Sequence, residues 1–149
     1  MKLGFLSKIF EGALSIERTY NDCDKALNRL GTYNERIEEM QKNGEDVSSF
    51  PAEEKAELDE IVNNAIQGAT RLVDLEPTRN WPGVFREMHK NLANIYYELH
   101  DYDRVHEECN KLKTDYGETG RQDAEEILEK LADKENGKTD SPEEAPATM

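Results

Sequence analysis

Apolar residues recur at intervals of three and four along most of this chain, and no segment alternates strictly between apolar and polar residues. Spacings of three and four are typical of a helix with one buried side, whereas strict alternation would indicate a strand. We therefore predict an all-α chain. The first predicted helix spans residues 3–30, and Gly31 and Thr32 are expected to interrupt it before a shorter return helix that ends at Asn43 and Gly44.

Three further helices are predicted in the middle of the chain. Pro51 lies near the start of a helix, where its missing N–H costs nothing. The buried side of that helix is predicted to consist of Leu58, Ile61, Val62, Ala65, Ile66, Ala69, Leu72 and Val73. The helix is expected to end at Leu75-Glu76-Pro77, and a turn-rich linker then leads to a helix over residues 84–99 and its partner over residues 102–114.

The remaining sequence predicts a closing helix and a tail. Residues 116–120 contain two glycines and are expected to break the chain before a helix over residues 123–132. That helix has one apolar side and one charged side, with Lys130 on the charged side, as is typical of the last helix of a stack. From residue 134 the apolar period is lost. We therefore predict one domain, residues 1–133, followed by a disordered acidic tail, residues 134–149.

A specific pattern covers residues 88–117. It consists of Leu92, Ala93 and Tyr96 in the first helix, Leu99 at its end, Asp101-Tyr102-Asp103 in the turn, and Val105 and Cys109 in the second helix. This segment resembles a tetratricopeptide repeat (TPR), from whose pattern it departs at His89, Val105 and Gly117. The resemblance implies antiparallel helix pairs in a right-handed superhelix, and an irregular helical bundle is the alternative. A weaker echo at residues 27–40 predicts a second, degenerate repeat and three helix pairs in all.

The resemblance also implies a binding function, because the first helix of each TPR lines a groove that holds another protein or a peptide. The residues expected to contact a partner are Lys90, Asn94, Tyr97 and Glu98. In one TPR subclass a Lys and an Asn one turn later hold the C-terminal carboxylate of a peptide, and Lys90 and Asn94 match that spacing. After Glu118 only Arg121 and Gln122 are expected to add to such a clamp, which would leave it incomplete.

The charge of the chain narrows the class of partner. Its 33 acidic and 19 basic residues give a formal net charge of −14. Direct binding to nucleic acid and adsorption to an anionic membrane both need a basic patch, so neither is expected. The acidity either keeps a helical protein in solution or meets a basic partner. The alternative function is therefore an acidic inhibitor, a charge mimic that occupies a basic site on a nucleic-acid-handling protein.

Little in the sequence points to catalysis. It contains no glycine-rich phosphate loop, no H-E-x-x-H and no C-x-x-C motif. His106 and Cys109 lie three residues apart on a predicted helix, but zinc needs three or four ligands, and a buried thiol beside a partly exposed imidazole is the favoured interpretation. The sequence therefore predicts a protein that is not an enzyme and has neither a cofactor nor a metal site.

The start of the chain bears on its location. No apolar run approaches the length that spans a bilayer, and residues 1–14 lack the features of a signal peptide, so a cytoplasmic protein with reduced cysteines is expected. Residues 1–14 are nevertheless amphipathic, with five large apolar residues around Lys2, Lys8 and Glu11. They are expected to pack on the core or to form a self-association face, and contact with a membrane is the alternative.

Overall fold

The computed structural model describes the backbone of residues 2–75 and 81–140, and the side chains of residues 15–75 and 81–134. Within these ranges it contains five α-helices, one short 3₁₀ turn and no strand, which confirms the all-α prediction. The helices are α1 (Lys2–Lys42), α2 (Ala52–Val73), α3 (Pro82–Glu98), α4 (Tyr102–Asp115) and α5 (Gly117–Asp140), and the 3₁₀ turn is Val47–Ser49.

The first helix, α1, is continuous, and the predicted interruption at Gly31 and Thr32 is wrong. A glycine inside a helix costs only about 1 kcal/mol, and packing on a core outweighs that cost. Leu30 is buried here, and Leu27 and Tyr33 pack against the core on either side of it. Because α1 does not fold back on itself, residues 27–40 are not a second repeat. The described residues form two helix pairs and a single helix instead of the expected three pairs.

The end of α1 is where the glycine pattern predicts it. Gly44 has a positive φ of 72°, which a glycine adopts without steric cost. The N–H of Glu45 donates to the carbonyl of Met40 at 2.8 Å, and that of Gly44 donates to Gln41. These two bonds form a Schellman motif, which satisfies the last carbonyls of the helix.

Consecutive helices run antiparallel. Thr19 of α1 lies against Gly68 of α2, and the Arg29–Glu57 ion pair joins the same two helices further along. Small side chains at the contact (Cys23, Ala26, Ala65 and Ala69, all fully buried) let α1 and α2 approach closely. Between α3 and α4, the His89–Glu108 pair and the Tyr97–Tyr102 ring contact show the same antiparallel course.

Alternate helices run parallel. Asn34 of α1 bonds Glu98 of α3, while Tyr20 of α1 lies near Glu87 of α3. Arg86 of α3 bonds Asp123 of α5, and Lys130 of α5 bonds Asn94. The α3–α5 pairs are separated by 37 and 36 residues along the chain, close to the TPR period of about 34. Each helix packs on the next, and α3 also packs on α1 and α5.

The turn between α3 and α4 closes as a second Schellman motif. His100 has a φ of 65°, the N–H of Asp101 donates to the carbonyl of Tyr96, and that of His100 donates to Tyr97. Asp101 then caps α4 by accepting from the backbone N–H of Arg104. The side chains that the repeat pattern places between α3 and α4, namely Ala93, Tyr96, Val105 and Cys109, are all buried.

The last helix begins earlier and ends later than expected. The chain turns at Tyr116 and at Gly117 (φ 62°), but α5 starts at Gly117 rather than at residue 123. Gly120 lies so close to α4 that a Cβ there would overlap the carbonyl oxygen of Leu112. The glycine is therefore needed for helix packing, not for a loop. The backbone is helical to Asp140, which includes residues 134–140 of the predicted tail.

Several expectations concern parts of the chain that the structure does not describe. Residues 76–80, which include the predicted helix end and the first residues of the predicted linker, lie outside the described residues. So do residues 141–149 of the predicted tail and the side chains of residues 1–14. Across the described helices, none is both long and apolar enough to cross a membrane.

Candidate functional site

The four residues predicted to contact a partner lie on one side of α3. Positions 90, 94, 97 and 98 are three or four residues apart, so their side chains share a face of the helix. Each is half-buried, whereas the opposite face of α3 supplies Phe85, Met88, Leu92 and Tyr96 to the interior. We call the surface that α3 shares with its two parallel neighbours the α1/α3/α5 face. Its residues are Asn34, Lys90, Asn94, Tyr97, Glu98, Lys130 and Lys134.

Glu98 is held by α1. The Nδ2 of Asn34 donates to both the backbone carbonyl and the Oε1 of Glu98, each at 2.9 Å. These bonds join the end of α3 to the last third of α1. Glu98 therefore positions one edge of the face, and its carboxylate already has a donor inside the protein.

Asn94 and Tyr97 form the centre of the face together with Lys130, a residue of the predicted charged side of the last helix. The Nζ of Lys130 donates to Asn94 Oδ1 at 3.1 Å and lies 4.4 Å from the centroid of the Tyr97 ring. Lys134, one turn later on α5, lies 5.9 Å from the same centroid. Burial and, next, the charge of Glu98 raise the pKa of Tyr97, so its phenol stays protonated and can donate a hydrogen bond at neutral pH.

The expectation that only Arg121 and Gln122 would add to the face after Glu118 is therefore wrong. Arg121 bonds Glu118 and Glu125 of its own helix, while Lys130 and Lys134 reach α3. One signal was present in the sequence, because residue 130 follows residue 94 by 36 residues, close to one repeat period. The sequence pattern places Lys130 on the charged, outward side of the last helix and predicts the end of that helix at residue 132, whereas α5 extends to Asp140.

Lys90 belongs to a different cluster at the other end of the face. Its Nζ lies 3.7 Å from Asp123 Oδ1, and the Nη1 of Arg86 lies 2.5 Å from Asp123 Oδ2. Asp123 is buried and is shared by the two cations. Lys90 and Asn94 are only one helical turn apart, but they contact different residues of α5, Asp123 and Lys130.

A buried polar pair that the sequence did not reveal joins α3 to α4. His89 Nδ1 lies 2.7 Å from Glu108 Oε1, and both residues are buried. The His89 ring also lies 5.5 Å from that of Tyr116. Glu108 occupies the buried stripe of α4 between Val105 and Leu112, and a charged residue in an apolar stripe was the signal available for it.

The cysteines have the properties of buried thiols. Burial raises the pKa of Cys23 to about 12 and that of Cys109 to about 11, so both are protonated at neutral pH and are poor nucleophiles and metal ligands. His106 is exposed on α4 while Cys109 is buried. In the part of the chain that the structure describes, no three His, Cys, Asp or Glu side chains are grouped so that they could hold a metal ion.

Comparison with protein-family models, with curated proteins and with solved structures found no match to this chain. The TPR resemblance accordingly depends on the residue pattern at 88–117 and on the packing described above.

Proposed function

We propose that this chain is a non-enzymatic adaptor or scaffold that binds a protein or peptide along the α1/α3/α5 face, as a TPR domain binds a partner in its groove. The observation that supports the proposal best is the meeting of Asn94, Tyr97 and Lys130 at the centre of that face. An amide, an aromatic ring and an ammonium group side by side are the kinds of group that recognise peptides.

The helix arrangement supports a TPR-like groove. In the C-terminal part, α3 and α5 are parallel and separated by about one repeat, with α4 between them in the chain. In a TPR these would be two successive first helices and the second helix between them. The parallel contact of α1 with α3 extends the same face by one more helix.

The contacts that Lys130 and Lys134 make within the face are weak enough to be exchanged for contacts with a partner. A cation over an exposed aromatic ring contributes about 0.5–1 kcal/mol, and a surface ion pair about 0–1 kcal/mol. Lys130 and Lys134 contact Asn94 and the Tyr97 ring, and within the described side chains neither forms an ion pair with a carboxylate. We infer that an acidic group of the partner, such as a carboxylate, binds there, because a charge-assisted hydrogen bond is stronger than a neutral one.

The proposed setting is the cytoplasm, where buried thiols such as Cys23 and Cys109 stay reduced. A second copy of the chain is one partner that this function allows.

The test is capture of the partner from the native cell, followed by affinity measurement with the purified partner. Asn94→Ala and Tyr97→Ala should each weaken binding at least about tenfold, as expected for a central contact. His106→Ala, an exposed residue of α4, is the matched control and should bind as the native chain does. Binding that tolerates both changes and is lost steeply as salt rises would instead indicate the acidic-inhibitor alternative.

A further inference from the structure

Two surface furrows follow α2 and share the residues Gln67 and Arg71. The first lies between α1 and α2, with a volume of about 340 Å³. The second, of about 470 Å³, lies between α2 and the start of α4, with Tyr96 of α3 also in its lining. Gln67 and Arg71 thus form a ridge with a furrow on either side, and none of these residues belongs to the α1/α3/α5 face.

Three different helices supply an arginine to the furrows. Arg18 of α1 and Arg71 line the first, and Arg71 and Arg104 of α4 line the second. All three are exposed, and the Arg104 guanidinium lies 5.5 Å from the centroid of the Tyr96 ring. A guanidinium binds carboxylates through paired hydrogen bonds, so this set is suited to a segment with several acidic side chains.

Two of these arginines, Arg18 and Arg71, differ from the others that the structure describes. Four other arginines each form an ion pair with a carboxylate that does not line the furrows, namely Arg29, Arg36, Arg86 and Arg121. Within the described side chains, neither Arg18 nor Arg71 forms an ion pair, and Arg104 has only an exposed pair with Asp101 at 3.3 Å. The guanidinium groups of Arg18 and Arg71 are therefore available to a ligand.

The balance of charge in the furrows is the reverse of that in the whole chain. Among the described residues, their lining contains three arginines and two acidic residues, Asp22 and Asp74, whereas the chain has 33 acidic and 19 basic residues. The second furrow also has apolar surface from Ile66 and Tyr96. A ligand that matches both features carries negative charges beside an apolar side chain.

We propose that the furrows on either side of the α2 ridge bind an acidic segment of a partner protein. Its carboxylates bond Arg71 and Arg104, with Arg18 extending the contact across the ridge, and an apolar side chain packs on Ile66 and Tyr96. This surface is separate from the α1/α3/α5 face, so a single chain can hold two partners, or two segments of one partner, at once.

The probe for this proposal is a fluorescein-labelled peptide of alternating glutamates and leucines, with lysines in place of the glutamates in the control peptide. Fluorescence anisotropy with the full chain should show binding of the glutamate peptide only. Arg71→Gln and Arg104→Gln should each weaken that binding about tenfold, since each removes a charge-assisted contact. Arg29→Gln, an exposed arginine outside the furrows, is the matched control and should leave the affinity unchanged.

Backbone amide NMR of the native chain locates the peptide independently of any substitution. The signals of Gln67 and Thr70 should move on titration, because both residues line the second furrow. The proposal is overturned if the glutamate peptide does not bind, if the lysine peptide binds equally well, or if Arg71→Gln and Arg29→Gln have the same effect. Shifts confined to Asn94 and Tyr97 would also overturn it, while supporting the α1/α3/α5 face as the acidic-peptide site.

Discussion

The N-terminal pair α1/α2 and the C-terminal unit α3–α5 use similar helices but are joined by different contacts. Small buried side chains hold α1 against α2, and the ion pairs between them are at the surface, with the side chains of Arg29 and Glu57 50% and 65% exposed. In the C-terminal unit the corresponding polar pairs are largely buried. The side chains of His89 and Glu108 are 4% and 11% exposed, and those of Arg86 and Asp123 are 26% and 11% exposed.

This difference determines which part of the molecule has a precisely set geometry. A surface ion pair contributes about 0–1 kcal/mol and leaves two helices free to adjust. A buried pair adds little net stability, but breaking it leaves a buried polar group without its partner, so it opposes any shift between the helices. The residues at the centre of the α1/α3/α5 face belong to the C-terminal unit, where Arg86 and Lys90 contact Asp123 and set the register of α3 and α5.

The largest expected effect is at Gly120, where α5 lies against α4. Gly120→Ala should lower the free energy of unfolding by about 3 kcal/mol or more, because the added methyl group would force α5 away from the Leu112 carbonyl. Urea denaturation followed by circular dichroism measures this. Gly83→Ala is the matched control, since nothing lies within 4 Å of a Cβ at that helical position. Equal stability of the two variants would show that α4 and α5 are not packed as described.

Loss of the buried carboxylate should have the next largest effect. Glu108→Ala is expected to cost about 2 kcal/mol of unfolding free energy, because it removes a charged hydrogen-bond partner from buried His89. Its exposed neighbour offers the comparison, and Glu107→Ala should change the unfolding free energy by less than about 0.5 kcal/mol. If both changes have the same small effect, the contrast between a C-terminal unit joined by buried polar pairs and an N-terminal pair joined by surface ion pairs is wrong.

The two classes of ion pair can be compared directly with one type of substitution. Arg86→Gln should lower the unfolding free energy by about 1–2 kcal/mol, since its partner Asp123 is buried. Arg29→Gln should lower it by about 0.5 kcal/mol or less, because Arg29 and Glu57 are both exposed. Thermal melts at low and high salt extend the test, and the effect of salt should be larger for the Arg29 pair. A larger loss of unfolding free energy for Arg29→Gln than for Arg86→Gln would contradict the description of Arg86–Asp123 as the more buried pair.

The smallest expected effect tests the continuity of α1. Gly31→Ala should raise the unfolding free energy by about 0.5–1 kcal/mol, because alanine is the better helix former and nothing lies within 4 Å of the added methyl group. If the chain turned at Gly31, as its glycine pattern predicts, the same change would be neutral or destabilising. Gly44→Ala is the control. It should lower the unfolding free energy, because alanine is strained at the φ of 72° that Gly44 adopts.

Features that depend on near neighbours in the chain were predictable. The apolar spacing identified the helical segments, and turn chemistry located the end of α1 at Gly44 and the turn before α4 at Asp101. The four candidate residues lie on one face of α3 because helical spacing alone decides which side chains are neighbours.

The errors share a cause, which is that each depends on a contact between distant segments. Gly31 and Gly120 have the same local signature of a helix break, yet one lies within a helix sustained by core packing and the other provides close contact with α4. Lys130 and Lys134 reach Tyr97 only because α3 and α5 are parallel and in a particular register.

Helix content and helix sides therefore follow from this amino-acid sequence alone, because both arise from interactions within a few residues. Which glycines interrupt a helix, which charges become buried and which lysines join the face follow from the packing of five helices. In each of these cases the free energy of contacts between helices exceeds the roughly 1 kcal/mol preferences that local sequence expresses.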